Sequence, residues 1–297
     1  MNTDTSTRFA ALDFAQEPSF AYKAESGWQR FWNRGGWWRA VLVAVVYLAL
    51  YLGAGRLTSA LFADRIDPSD PLADPATVFF GTALPILIGS VILLVFGASL
   101  RWLPTLFGRQ PVRGRGWMWI APLVVVATAL LRSFGTDFNR FSLGTVLTIF
   151  ATGALIGLAE ELLTRGFVVE LLRRHGYTER VVMLLSALTF ALLHSANLLT
   201  GQTLAQVLPT LGFTFVFGIA MYLTMRVTGS IVWAIVLHAI TDPTTMLASG
   251  GIDNIGAHVS TLTTLSQVSL PIYVVLSIVA LFLVKGRVKT QDAVLIA

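Results

Sequence analysis

The chain has 297 residues, 55% hydrophobic and only 12% charged, with a mean hydropathy of +0.72 and a formal net charge of +5. Soluble domains carry about a quarter charged residues, so a water-soluble globular class is excluded. The absence of cysteine removes disulfides, thiolate metal ligands and a cysteine nucleophile.

Residues 1–36 read as a polar cytoplasmic or interfacial tail. Its run WQRFWNRGGWW mixes aromatic and basic side chains as a headgroup-level anchor does. No apolar stretch in that tail resembles a cleavable signal, so the first span is expected to serve for targeting. Apolar helices are predicted from roughly Trp37 to Phe62, Ala76 to Leu100, Gly116 to Ser133, Leu143 to Leu172, Arg180 to Leu198, Thr203 to Met225, Gly229 to Ser249 and Gln267 to Val284. Each has about the ~20 residues that a bilayer core requires. The expected fold class is therefore all-α, a polytopic membrane bundle of about eight transmembrane helices over residues 37–284. Residues 285–297 form a cytoplasmic tail.

With the N-terminus placed in the cytoplasm, sixteen of the 21 lysines and arginines fall on the cytoplasmic side. Arg56, Arg65, Arg132 and Arg140 fall outside, and Arg165 lies within the fourth helix. This positive-inside bias puts both termini in the cytoplasm. It also accounts for the sequence pI of about 9.9 without a nucleic-acid partner. The expected location is integral to a membrane; the excess of arginine over lysine and the lack of cysteine suggest a prokaryotic plasma membrane.

A charge at bilayer depth costs at least ~2.5 kcal/mol, yet the spans carry Glu160, Glu161, Arg165, His194, His238 and Asp242. At 1.5 Å rise per residue, Glu160 lies ~20 Å from the cytoplasmic face, His194 ~21 Å, His238 ~14 Å and Asp242 ~20 Å. Three helices of alternating direction thus bring polar groups to one layer. Glu161 and Arg165 are four residues apart, share a helix face and can neutralise one another; Glu160 points elsewhere. His238 and Asp242 have the same spacing, and Pro243 is expected to break or kink the helix there. His175 and His258 read as solvated loop residues. A lone membrane histidine is often only an interhelical hydrogen-bond donor; the co-occurrence of two imidazoles and two carboxylates at matched depth argues for a site.

A buried carboxylate can act as general base on water that an imidazole helps to hold. A second histidine, its tautomer fixed by Asp242, can donate to a developing oxyanion. The same Glu160, His194, His238 and Asp242 could instead ligate a divalent metal such as zinc, leaving one position for water. Either arrangement hydrolyses an amide, and the residues alone leave both open.

Glu160-Glu161-x-x-x-Arg165, Phe190-x-x-x-His194 and His238-x-x-x-Asp242 resemble, in order, the three signatures of the CPBP family. These are the CAAX-processing and bacteriocin-processing intramembrane proteases, also called Abi, which include the Rce1-type prenyl endopeptidases and are historically classed as metalloproteases. The resemblance covers about residues 143–250. It implies an intramembrane endopeptidase acting on a peptide or lipidated-protein substrate among membrane lipids. It further implies Glu160 as the water-activating residue, His194 as its partner, and His238 with Asp242 at the oxyanion. Glu161 and Arg165 would be supporting residues, and Asn197 an additional donor. Asp242 stands where Rce1-type members commonly carry Asn, and a carboxylate cannot donate; this favours orienting His238 or binding metal. Between zinc and a metal-independent glutamate mechanism the reading leans to the latter, with the scissile bond reaching the site from the cytoplasmic side. Competing readings are an inactive scaffold, immunity or regulatory protein of the same fold, and an ion-coupled transporter. The lack of internal repeats weighs against transport.

Overall fold

The computed structural model describes residues 25–250 and 260–288. Expectations for residues 1–24, 251–259 and 289–297, including His258 and the basic residues Arg8, Lys23 and Lys289, lie outside the described residues. Among the described residues eight helices are long and apolar enough to cross a membrane: Trp37–Leu61 (α1), Pro75–Leu100 (α2), Gly116–Gly135 (α3), Leu143–Arg174 (α4), Glu179–Thr200 (α5), Leu204–Thr228 (α6), Ile231–Ser249 (α7) and Thr261–Leu283 (α8). Among the described residues there is no strand, only an isolated bridge between Thr178 and Arg287.

Polar caps set the boundaries that hydropathy leaves loose. Ser142 accepts from Thr145 N to start α4, and Ser230 accepts from Val232 N to start α7. Gly229 ends α6 at φ 77°, a left-handed conformation suited to glycine. The eighth helix starts earlier than the sequence suggests because Ser260 and Thr263 form a capping box. The expected interfacial segment contains a short helix, Gly27–Asn33, which Ser26 and Gln29 cap reciprocally.

Backbone hydrogen bonds tie one end of the bundle together: Gly36 N to Leu171 O at 2.8 Å, Gln110 N to Gly229 O at 2.9 Å, and Glu179 N to Gly286 O at 2.9 Å. All eight tryptophans of the chain lie at this end, and Trp28, Trp37, Trp38, Trp119 and Trp233 are exposed there, as in an interfacial belt. Farther along the helices the exposed side chains are apolar, among them Val45, Leu57, Val126, Leu147 and Val275. Their outward placement suits hydrocarbon.

The same end also holds a buried ionic network. Glu179 receives Arg173 Nε and Nη2, both at 2.8 Å, together with Arg226 Nη1 at 2.8 Å and the Tyr222 hydroxyl. Arg173 and Arg226 are two of the sixteen basic residues counted on the cytoplasmic side. They are 4% and 2% exposed, because α5 begins directly on a carboxylate that both can reach.

Helices α4 and α7 approach more closely than ordinary side chains allow. A Cβ at Gly153 would stand 2.2 Å from Pro243 Cγ, and one at Gly157 would stand 2.6 Å from the Ile235 carbonyl oxygen. This glycine pair, four residues apart, is the small-residue stripe that lets membrane helices touch along their backbones. It also corrects the expected break at Pro243. Helix α7 continues through the proline to Ser249, and the ring fills the space that Gly153 leaves.

Replacing Gly157 with valine must separate α4 from α7, a loss of about 1–3 kcal/mol by overpacking. It should lower the melting temperature of the purified protein in detergent. Gly53→Val, where an added Cβ meets nothing within 4 Å, should leave it unchanged. Equal melting of both variants would show that the glycine contact carries no stability.

Candidate active site

Glu160 and Glu161 end the α-helical part of α4. The next seven residues, Leu162–Val168, form a π-helical segment before α-helix resumes to Arg174. All seven are buried. Such wide turns are most often found at functional positions.

Glu161 is fully buried and takes the predicted partner: Arg165 Nη1 lies 3.0 Å from Glu161 Oε1. The guanidinium also donates to Thr164 Oγ1 and, at 2.8 Å, to the Gly218 carbonyl of α6, and it lies 4.6 Å above the Phe190 ring. Charge, hydrogen bonds and an aromatic face thus compensate a cation that is 1% exposed.

The same Glu161 Oε1 is 2.8 Å from His238 Nδ1. A carboxylate there requires the proton on Nδ1. His238 Nε2 then faces two further carboxylates, Asp242 Oδ2 at 3.4 Å and Glu160 Oε2 at 3.5 Å. The rings of Phe190 and Phe217 stand edge-on to the imidazole, with centroids at 5.6 and 5.2 Å. They hold it laterally without offering a polar contact. This revises one sequence assignment. Glu161 orients His238 through Nδ1, while Asp242 sits at the other nitrogen, because α4 and α7 pack closely enough for Glu161 to span the gap.

His194 begins the tight turn of 3-10 helix, His194–Thr200, that finishes α5. Its Nδ1 is 3.0 Å from the Phe190 carbonyl, which places a proton on Nδ1. His194, His238 and Asp242 line one open cavity with about 610 Å³ of empty space, walled by Phe190, Phe213, Phe217 and Met246. Glu160, with 29% of its side chain exposed and its Oε2 3.5 Å from His238 Nε2, is not among the lining residues. Asn197 lies farther along the same turn, outside the cavity lining. His175 is exposed, as expected, near the Arg34 carbonyl.

The cavity lies in one half of the bundle. Its lining uses Thr210 to Phe217 in the first part of α6 and Thr241 to Met246 in the second half of α7. It therefore occupies the half of the bundle away from the tryptophans. Toward the tryptophan end, Leu162, Leu163, Phe167 and Val168 are fully buried, and a second open cavity lies beyond them, lined by Leu106, Gln110, Arg165, Gly166 and Arg173. Among the described residues no group of three or more His, Asp or Glu side chains is arranged to hold a metal ion. The proposed Glu160, His194, His238 and Asp242 set does not form a ligand cage in this geometry.

Two residues that sequence reasoning passed over belong to the site's surroundings. Tyr47 of α1 is buried within electrostatic reach of Glu160, and Gly89 of α2 leaves room for its hydroxyl. Arg132 of α3, counted as an exterior charge, is 6% exposed and donates to Thr245 Oγ1. Neither was visible as a site residue, because one is a tyrosine in an apolar run and the other sits three residues from a helix end.

Residues 142–244 match the model of the family described as type II CAAX prenyl endopeptidase Rce1-like. The match covers all seven candidate residues and bears out the resemblance read from the three motifs. No curated protein and no solved structure gives a match.

The two adjacent glutamates should separate by experiment. Glu161→Gln leaves Arg165 and His238 without their shared carboxylate, and breaking a buried pair of this kind costs about 3–5 kcal/mol; the melting temperature should fall sharply. Glu160→Gln should melt like the parent protein. A fall of similar size in both variants would contradict the division of roles.

Proposed function

We propose that the chain is an intramembrane endopeptidase that hydrolyses a peptide bond in a membrane-associated or lipidated protein or a leader peptide by a glutamate-activated water. The observation that supports this reading is the clamped imidazole: Glu161 holds His238 Nδ1 at 2.8 Å, and Nε2 is presented between Glu160 and Asp242 beside the cavity. The family match of the same segment supports it independently.

In this mechanism Glu160 takes a proton from water, with His194 Nε2 accepting the water's second hydrogen bond. The water oxygen attacks the carbonyl carbon, and negative charge develops on the carbonyl oxygen. His238, protonated on both nitrogens, donates from Nε2 to that oxyanion while Glu161 keeps Nδ1 in place. The C–N bond then breaks as Glu160 returns its proton to the leaving amine. As a carboxylate, Asp242 accepts from His238 Nε2 between turnovers and cannot itself donate to the oxyanion. Substrate reaches the site through the half of the bundle remote from the tryptophan end. That end is cytoplasmic by its basic residues.

The test is cleavage by purified protein in detergent, offered lipidated and leader peptides. Glu160→Ala and His194→Ala should each lower the rate by about 10²-fold or more without changing membrane abundance, and a chelator should leave the parent rate intact. Full activity in either variant refutes the assignment. Loss of activity on chelation, restored by zinc, would replace the glutamate mechanism with a metal-dependent one.

A further inference from the structure

We propose that the second cavity, at the tryptophan end, is a binding site for the phosphate headgroup of an anionic membrane lipid, separate from the candidate active site.

The sequence concentrates positive charge there. The segment between α2 and α3 contains RWLPTLFGRQPVRGR, residues 101–115, with four arginines and no acid. Arg101, Arg109, Arg113 and Arg115 are all exposed, and among the described residues none of them forms an ion pair. Gln110 ties the segment to the bundle. Its N–H donates to the Gly229 carbonyl at 2.9 Å, and its side-chain oxygen accepts from Arg173 Nη1 at 2.6 Å. Between this segment and the last turns of α4 lies about 630 Å³ of empty space. Arg109, Arg165, Arg173 and Arg174 line it with a single carboxylate, Glu170.

The acids nearby do not balance these cations. Glu161 answers Arg165, and Glu170 answers Arg174 at 2.7 Å. Arg173 must share Glu179 with Arg226. Five arginines, Arg226 included, thus face three glutamates, which leaves two positive charges without an acid. A concave site with such an excess draws an anion. Of the lining arginines Arg109 alone lacks an acidic partner among the described residues, and it is the group assigned to the phosphate.

Two features favour a lipid over a free anion. The cavity lies at headgroup depth: Arg174 stacks 4.5 Å above the Trp102 ring and donates to Asn33 at 3.0 Å, at the end of the short helix that carries exposed Trp28. Its wall is also amphipathic. Pro104, Leu106, Val169 and Val288 stand beside the arginines, so glycerol and the first acyl carbons can be covered while the phosphate meets a cation. Basic pockets between membrane helices take lipid headgroups in this way.

The site does not depend on the endopeptidase reading, and its test needs no cleavage. The melting temperature of the purified, delipidated full chain in detergent is measured with added dioleoyl phosphatidylglycerol, dioleoyl phosphatidylcholine or inorganic phosphate. Phosphatidylglycerol should raise it by several degrees and saturate, as a ligand of the folded state does; phosphatidylcholine should not. Without lipid, Arg109→Gln and Arg113→Gln should melt like the parent, since both arginines are exposed. With phosphatidylglycerol, Arg109→Gln should lose most of the gain. Arg113→Gln, on the same segment but outside the lining, should keep it. Equal loss in the two variants would mean diffuse attraction to a basic surface and would overturn the site, as would no gain in the parent. A gain of the same size from inorganic phosphate would overturn the lipid assignment.

Discussion

A histidine buried between helices needs a partner on each nitrogen, and the partner for His238 Nδ1 lies on another helix. Glu161 reaches it at 2.8 Å only because Gly153 and Gly157 bring the backbones of α4 and α7 into contact. In lipid there is little hydrophobic drive to pull helices together, and small residues and polar contacts take its place. The two features therefore depend on each other. The glycine stripe sets the spacing, and the Arg165–Glu161–His238 chain locks the register of the two helices within it. The Phe190 and Phe217 rings, the Gly218 carbonyl and the cavity are arranged around that chain.

The eight spans could be read from the sequence because the bilayer demands long apolar runs, and that demand acts on each helix separately. The polar layer was legible for the same reason: an ionisable residue stands out against such a background. The pairing of Glu161 with Arg165 followed from helix geometry alone. What crosses between helices did not. Nothing in the spacing of Glu161 and His238, 77 residues apart, says that a backbone contact elsewhere lets them meet, so His238 was assigned its neighbour on the same helix, Asp242. Pro243 was read by its local propensity, and a glycine on the opposite helix overrode it. The side on which the cavity lies was also hidden, since it depends on how α6 leans against α7.

Charges near helix ends were the hardest to interpret. Arg132, Arg173 and Arg226 each sit within a turn of a boundary, where an arginine usually reaches water. All three are buried, two of them on Glu179. A basic residue can thus orient a helix during insertion and afterwards hold it to its neighbours. A count of charges per loop sees only the first of these roles.

The wide turn over Leu162–Val168 has a further implication. It absorbs one residue more than an ordinary helical turn, so the rotational phase of α4 below the turn is set independently of the phase above it. Below, Glu161 meets α7; above, Arg173 meets the start of α5. Losing a single residue from the regular helix on either side would rotate everything beyond it by about 100°, swinging Arg173 away from Glu179. Within the wide turn the extra residue can be given up with much less change of phase, so a one-codon deletion there should be easier to tolerate than one a turn away.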